Sequence, residues 1–402
     1  MRLYRLILLS GVIFTMITVS GCCSKKQTEG NTGKELAASA IPATGSFHGN
    51  LFSLACKESR SENLCISPVS AQLALTMTAA GATGETQEEM YRALRLGENG
   101  GEESAAMMKQ LGAENPNFEL KAANSIWINE KFDVKEEFIK SNRELFNAQV
   151  SNIPFNNATV GIINGWCSDN TNGKIKSVLG RIDPNHRMFI INALYFKAPW
   201  EKPFAKAGTK PMPFTKENGE VEEVMTMNQK FKTEYFENDT LQMASKPFKS
   251  RYEMIFILPR KYYSTEQAAE YLALNYEKLR KQTEIYEVQL SLPKFKSEFS
   301  TSLRPSLEAM GMKRAFGTGA QFDGITDAPL YIDDVFQKTY ISVDELGAEA
   351  AAVTVVVGAL MAAPRPTEKR ELKLDRPFIY AIADRSTGTI LFIGKVGNPN
   401  EK

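Results

Sequence analysis

In the first half of the chain the apolar positions recur at helical spacing. In the second half they alternate or run together as strand residues do. Residues 47–54 have the spacing of a helix. Residues 63–66 form a short strand, and Ser67-Pro68 opens a helix through Ala80. Residues 86–96, 104–111, 135–147 and 159–171 are further helices, and 118–129 reads as a long strand. Residues 188–196 are almost wholly apolar and predict a buried strand. Shorter strands follow at 234–236, 241–244, 252–258 and 286–292, with helices at 266–282 and at 303–311, the last stopping on a glycine. No repeat, low-complexity tract or internal linker divides this body. The simplest reading is one α+β domain from about residue 46 to the C-terminus.

One segment has the wrong composition for its place. Asp344-Glu345-Leu346-Gly347-Ala348-Glu349-Ala350-Ala351-Ala352 leads into the β-branched run Val353-Thr354-Val355-Val356-Val357, and the strand-like Arg376-Pro377-Phe378-Ile379-Tyr380 follows. A connecting loop is usually polar and rich in Gly and Pro, whereas this one is made like a strand. With a period of two, Ala348, Ala350, Ala352, Thr354 and Val356 share one face. Glu349, Ala351, Val353, Val355 and Val357 share the other. The only charge in the run therefore sits opposite the face that begins with three small residues. Composition leaves two readings open: a surface helix, since Ala is the best helix former, or a strand held out of a sheet that it could join.

The 402 residues carry a formal charge of +1 with the signs interspersed, which gives no electrostatic case for nucleic acid. At the N-terminus Arg2 and Arg5 precede an apolar run, and Val19-Ser20-Gly21-Cys22 follows. The run is short for a membrane span and fits a signal segment over residues 1–21. Val-Ser-Gly-Cys resembles the bacterial lipobox, which implies Cys22 as a lipid-bearing residue and an extracytoplasmic protein anchored to a bacterial membrane, in the periplasmic or cell-surface leaflet of the outer membrane; the other reading is plain secretion with cleavage nearby. Residues 22–45 are polar and rich in Gly, Ala and Thr, as a flexible tether is. Cys56 and Cys65 are close enough in sequence for a disulfide, but spacing alone does not establish one. There is no CxxC pair, and with only His48 and His186 available a zinc site is not expected.

Enzyme readings find little support. Nucleophilic hydrolysis needs a base beside a Ser, Cys or Thr. His186 reads as a turn residue and His48 as a helix-start residue, and a Cys167–His186 pair has no local signature. No GxSxG elbow occurs, and no Gly-rich phosphate loop follows a strand.

Several motifs in chain order resemble the serpin family over about residues 47–399. Asn63-Leu64-Cys65-Ile66-Ser67-Pro68-Val69-Ser70 is similar to the family's strand-to-helix junction at the shutter. Thr171-Asn172-Gly173-Lys174-Ile175 matches T-x-G-K-I. Asn192-Ala193-Leu194-Tyr195-Phe196-Lys197-Ala198-Pro199-Trp200 opens a long match that ends at Phe204. Leu292-Pro293-Lys294-Phe295, Arg376-Pro377-Phe378, 388–396 and Asn398-Pro399 complete it.

The resemblance implies a serpin fold, about nine helices on three β-sheets, with an exposed reactive-centre loop over about 345–375 that can insert into the large central sheet. It implies a hinge at Glu345, Gly347, Ala348, Glu349, Ala350, Ala351 and Ala352. It implies a shutter and breach built on Ser67, Ser70, Asn192, Trp200 and Gln337, with Gln337 standing where many members have a His. The family's spacing from Glu345 puts the scissile bond at Met361-Ala362, with Leu360-Met361 or Ala362-Ala363 as the neighbouring choices. The implied partner is a serine protease with an elastase-, chymotrypsin- or subtilisin-like apolar pocket, held as a covalent acyl complex by a monomeric inhibitor without cofactor. The alternatives are a non-inhibitory binding protein of the same fold and an inhibitor of papain-like cysteine proteases.

Overall fold

The computed structural model describes residues 45–111, 116, 118–349 and 368–401. Helix α1 (Phe47–Glu58) begins where the Ser46 hydroxyl oxygen accepts the Gly49 N–H at 3.0 Å. Strand β1 (Leu64–Ile66) leads to α2 (Pro68–Ala79), capped by Ser67 and with Pro68 in its first turn. The sequence of α2 is apolar or small on every face, and the helix is buried on almost every face, as such a helix must be. Helices α3 (Gly84–Leu94) and α4 (Gly100–Leu111) start a few residues earlier than their apolar period suggests. Their first turns are polar and carry no periodic signal.

Strands β2 (Glu119–Asn129), β3 (Gln149–Ile153), β4 (Met188–Pro199), β10 (Phe295–Ser302), β11 (Asp334–Val343) and the two-residue β12 (Gly347–Ala348) form one sheet, in the order β10-β11-β12-β4-β2-β3. Most of its central neighbours are antiparallel. The parallel ladders are β2–β3 at one edge and, in the middle, β11–β4, which runs from Asp334↔Phe189 to Tyr340↔Tyr195.

The second sheet joins β1, β5 (Lys210–Thr215), β6 (Val221–Glu237), β7 (Leu241–Pro247), β8 (Tyr252–Pro259), β9 (Glu284–Pro293), β13 (Lys369–Lys373), β14 (Phe378–Asp384) and β15 (Ile390–Val396). It is continuous because β6 is long enough to pair with β5 at one end, β9 along its middle and β7 at the other end. The described residues thus hold eight α-helices and two hydrogen-bonded sheets, where the resemblance implied about nine and three.

The main core lies between the sheets, where Phe196 meets Phe392 at 6.2 Å and Phe295 meets Tyr380 at 5.1 Å between ring centroids. A satellite core lies on the other face of the six-stranded sheet. There α6 (Asn157–Asp169) and the connector that follows it bury Ile163, Cys167, Ile175 and Leu179 against Trp127, Phe189 and Ile191. Helices α5 (Glu136–Phe146), α7 (Thr265–Lys281) and α8 (Arg304–Ala309) complete the set.

Cys56, Cys65 and Cys167 are all free and buried, so the disulfide considered for the first two is not formed. Burial pushes the Cys65 thiol up to about 11 and the Cys167 thiol up to about 12. A thiol held so far from its thiolate is no nucleophile at neutral pH. His186 Nδ1 accepts the Asp183 N–H at 3.1 Å, and His48 Nε2 lies 3.2 Å from Gln72 Oε1, so each histidine has a structural partner.

Candidate functional site: a seam in the six-stranded sheet

The hinge residues sit at one end of the β4–β11 ladder. Gly347 pairs with Pro199, and Ala348 pairs with Ala198 on one side and Val343 on the other, so β12 is a short antiparallel wedge between two parallel strands. Gly347 is required by contact: a Cβ there would lie 2.2 Å from the Ala198 carbonyl oxygen. Ala348 is fully buried. Glu349 turns out of the sheet with φ of 45°, although its N–H still reaches the Ser342 carbonyl at 2.7 Å. Ala350, Ala351, Ala352, Met361, Ala362 and Cys22 lie outside the described residues.

Several groups fix the wedge from above. Trp200 Nε1 donates to the Asp344 carbonyl at 3.0 Å, and its backbone N–H donates to the Leu346 carbonyl at 2.8 Å. The Asp344 carboxylate accepts the N–H groups of Leu346 and Gly347. Glu345 accepts from Thr209 Oγ1 and Lys294 Nζ, each at 2.9 Å. Burial alone would raise the Glu345 pKa, but the Lys294 hydrogen bond, with a backbone bond, Thr209 and the Lys294 charge, brings it below the usual carboxylate value. Trp200 stacks on Phe248 at 4.4 Å, and the buried Lys246 ammonium sits 4.4 Å from the Phe204 ring centroid and 4.5 Å from that of Phe231. Lys246 gave no signal in the sequence, since it interrupts an apolar strand and its aromatic neighbours come from two other segments.

The middle of the seam is closed by a buried polar network. Gln337 Oε1 accepts the Ser67 N–H at 2.7 Å, and its Nε2 donates to the Ser67 carbonyl at 2.9 Å and to Asn192 Oδ1 at 2.6 Å. Asn192 Nδ2 donates to Ser70 Oγ and Asn124 Oδ1. Gln337 thus meets Ser67 and Asn192 directly and reaches Ser70 through Asn192 and through Ser67, whose Oγ accepts the Ser70 N–H at 3.4 Å. Two members were not anticipated: Asn124, and Thr339, whose hydroxyl donates to the Cys65 carbonyl at 2.8 Å. The network ties β11, β4, β2 and the start of α2 together across the line along which a new strand would have to enter.

The register of β12 defines what that strand would meet. Continuing the pairings of Ala348, position 350 falls between Ile341 and Phe196, 351 between Tyr340 and Tyr195, and 352 between Thr339 and Leu194. Ile341, Phe196, Thr339 and Leu194 face the main core and are buried. Even-numbered hinge positions therefore point inward in this register, and odd-numbered ones point toward α6 and its connector.

The arrangement is thus a six-stranded sheet with a central parallel contact and a small-residue wedge at its end, beside a nine-stranded sheet that β13 joins. The family model of the serpins (serine protease inhibitor) matches residues 42–399. An uncharacterised serpin-like protein of Thermococcus kodakarensis is 36% identical, covering 84% of this chain and 81% of that protein. The leukocyte elastase inhibitor of Bos taurus is 30% identical over 88% of this chain and 97% of its own length. The native-state structure of tengpin, a thermophilic serpin, superposes with a TM-score of 0.80 at 36% identity, covering 92% of this chain and 96% of its own. The chain belongs to the serpin family, whose members are generally protease inhibitors.

Proposed function

We propose that the protein is an irreversible suicide-substrate inhibitor of serine proteases with apolar specificity, anchored to a bacterial membrane through a lipid on Cys22. The protease serine attacks the Met361 carbonyl and the bond to Ala362 breaks. The Ala362 amine leaves with a proton, and an ester joins Met361 to the enzyme. The hinge side of the loop then enters the seam and carries the enzyme with it before water can cleave the ester. The chain performs no catalysis of its own.

The observation that carries this reading is the wedge. The first inserted residues, Gly347 and Ala348, already hold antiparallel register between β11 and β4. Full insertion would break one parallel ladder of seven register pairs and form an antiparallel one on each side of the new strand. At roughly 0.5–1.5 kcal/mol net per bond, the surplus of one ladder is about 4–10 kcal/mol. The small inward positions at Ala348, Ala350 and Ala352 keep the steric barrier low. The apolar residues around Met361 suit a pocket without a buried carboxylate. The similarity to a leukocyte elastase inhibitor points the same way, and the lipobox resemblance supports the anchor.

The test mixes a chain beginning at residue 24 with elastase-, chymotrypsin- and subtilisin-like enzymes. A complex that survives SDS and a released peptide beginning at Ala362 are expected. Clean cleavage by all three enzymes with no complex would overturn the reading.

A further inference from the structure

Above the seam, Glu349 does not simply leave the sheet: its carboxylate pairs with Lys174. One of its oxygens, Oε2, is buried without a hydrogen-bond partner, and the Tyr195 hydroxyl also hydrogen-bonds the carboxylate. The lysine is presented by a rigid turn. Thr171 Oγ1 donates to the Cys167 carbonyl at 2.6 Å and accepts the Ile175 N–H at 3.1 Å. Gly173 N–H donates to the Ser168 carbonyl at 2.8 Å, with φ of 52° at Asn172 and 72° at Gly173. Ile175, the next residue, is fully buried in the satellite core. The same connector is fastened to β11 a few residues on, where Lys338 Nζ donates to the Ser177 carbonyl at 2.7 Å.

Beneath this pair lie Tyr195 and Tyr340, the last register pair of the β4–β11 ladder, with ring centroids 6.3 Å apart. The Lys174 ammonium is 5.6 Å from the Tyr340 ring centroid. Burial and then the Glu349 carboxylate raise the pKa of both tyrosines, and the hydrogen bond to Glu349 leads the rise at Lys174. The next residue to enter on the Glu349 face belongs between these two rings, so the ladder must part first at Tyr195–Tyr340. For the hinge to advance, Glu349 must also leave φ of 45° for the extended region. Its side chain is then carried down the sheet relative to Lys174, which is fixed by its turn.

We propose that Lys174 is a positioning residue for loop insertion: through Glu349 it latches the hinge after Ala348 has entered, and the latch must open before the strand can advance. This rests on the insertion mechanism proposed above. It adds that the connector after α6, and not only the sheet, sets how fast the seam fills.

The test uses the full-length chain with its loop cut by a metalloprotease, which forms no ester, so that the chain's own hinge strand is free to enter the seam. Entry is followed by sampling, against time, the fraction of product that resists urea. Lys174→Met and Glu349→Gln should each enter about fivefold faster than wild type, the scale of one partly buried ion pair. The double variant should be no faster than either single one, and Lys174→Arg should restore the slow rate. Wild-type rates in the single variants, or accelerations that multiply in the double variant, would overturn the latch and leave the inhibitory mechanism standing. Failure of every cut form, wild type included, to gain urea resistance would overturn both.

Discussion

Replacing Ala350 by Arg tests loop insertion at its most exposed assumption. The register of Gly347 and Ala348 puts position 350 of an inserted strand between Ile341 and Phe196, both fully buried and facing the core between the sheets. The described residues that flank that point on the inward face, Ile341, Phe196, Thr339 and Leu194, carry no carboxylate. Breaking the pairing of a buried charge costs about 3–5 kcal/mol. If that cost falls on the insertion barrier, insertion slows by about two to nearly four powers of ten. Deacylation of the protease ester is untouched by the substitution, so hydrolysis wins the race. Ala350→Arg should be cut at the same bond and at the same rate as wild type, yet give no SDS-stable complex, with protease activity fully recovered. Ala350→Ser, small enough for the same site, should still trap the enzyme. An unchanged yield of complex from Ala350→Arg would refute both the register and the claim that insertion drives inhibition.

Two further outcomes follow from the buried polar groups. Gln337→Ala strands the Ser67 N–H, the Ser67 carbonyl and Asn192 Oδ1. It should destabilise the native state by about 2–4 kcal/mol, read as a lowered urea midpoint, and a wild-type midpoint would show that the network holds nothing together. Burial, and then the neighbouring Lys202 charge, bring the Lys246 pKa down to about 7. The unfolded chain therefore binds the extra proton between about pH 7 and the ordinary lysine value, and stability rises with pH through that window. The urea midpoint should climb between pH 7 and 9, and Lys246→Met should lose that part of the slope. An identical slope in both proteins would place the titration elsewhere.

How much the sequence revealed depended on where each side chain finds its partners. Strand β8 and the first part of β4 are apolar on both faces, and α2 carries small and apolar residues all round, so local pattern alone marks them. Strand β5 holds Pro211 and Pro213, which a sheet tolerates only at its edge, and it went unread. Most of β6 was missed because charges dominate its solvent face. Strand β11 was hidden by Gln337, Lys338 and Thr339 at its centre. Each is satisfied by a group far away in sequence — Ser67, Ser177 and Cys65 — which no window of the chain displays. The hinge face rests on alternation alone, and of its small residues only Ala348, which is buried, lies among the described residues. The Glu349–Lys174 pair was not legible, since the two residues are 175 positions apart and each alone looks like a surface charge.

The parallel contact between β4 and β11 also fixes how such a molecule responds to dose. In the described sheet only this parallel contact already holds the wedge of β12 at its end; the other, β2–β3, lies at the sheet edge and holds none. Once filled, the seam cannot be emptied without giving up two ladders. On the proposed mechanism each copy is therefore a single-use reagent, and protection works by titration: protease is silenced mole for mole until the supply is exhausted, and activity then rises sharply. For a copy tethered to a membrane, the density of molecules on that surface, and not their affinity, would set the threshold.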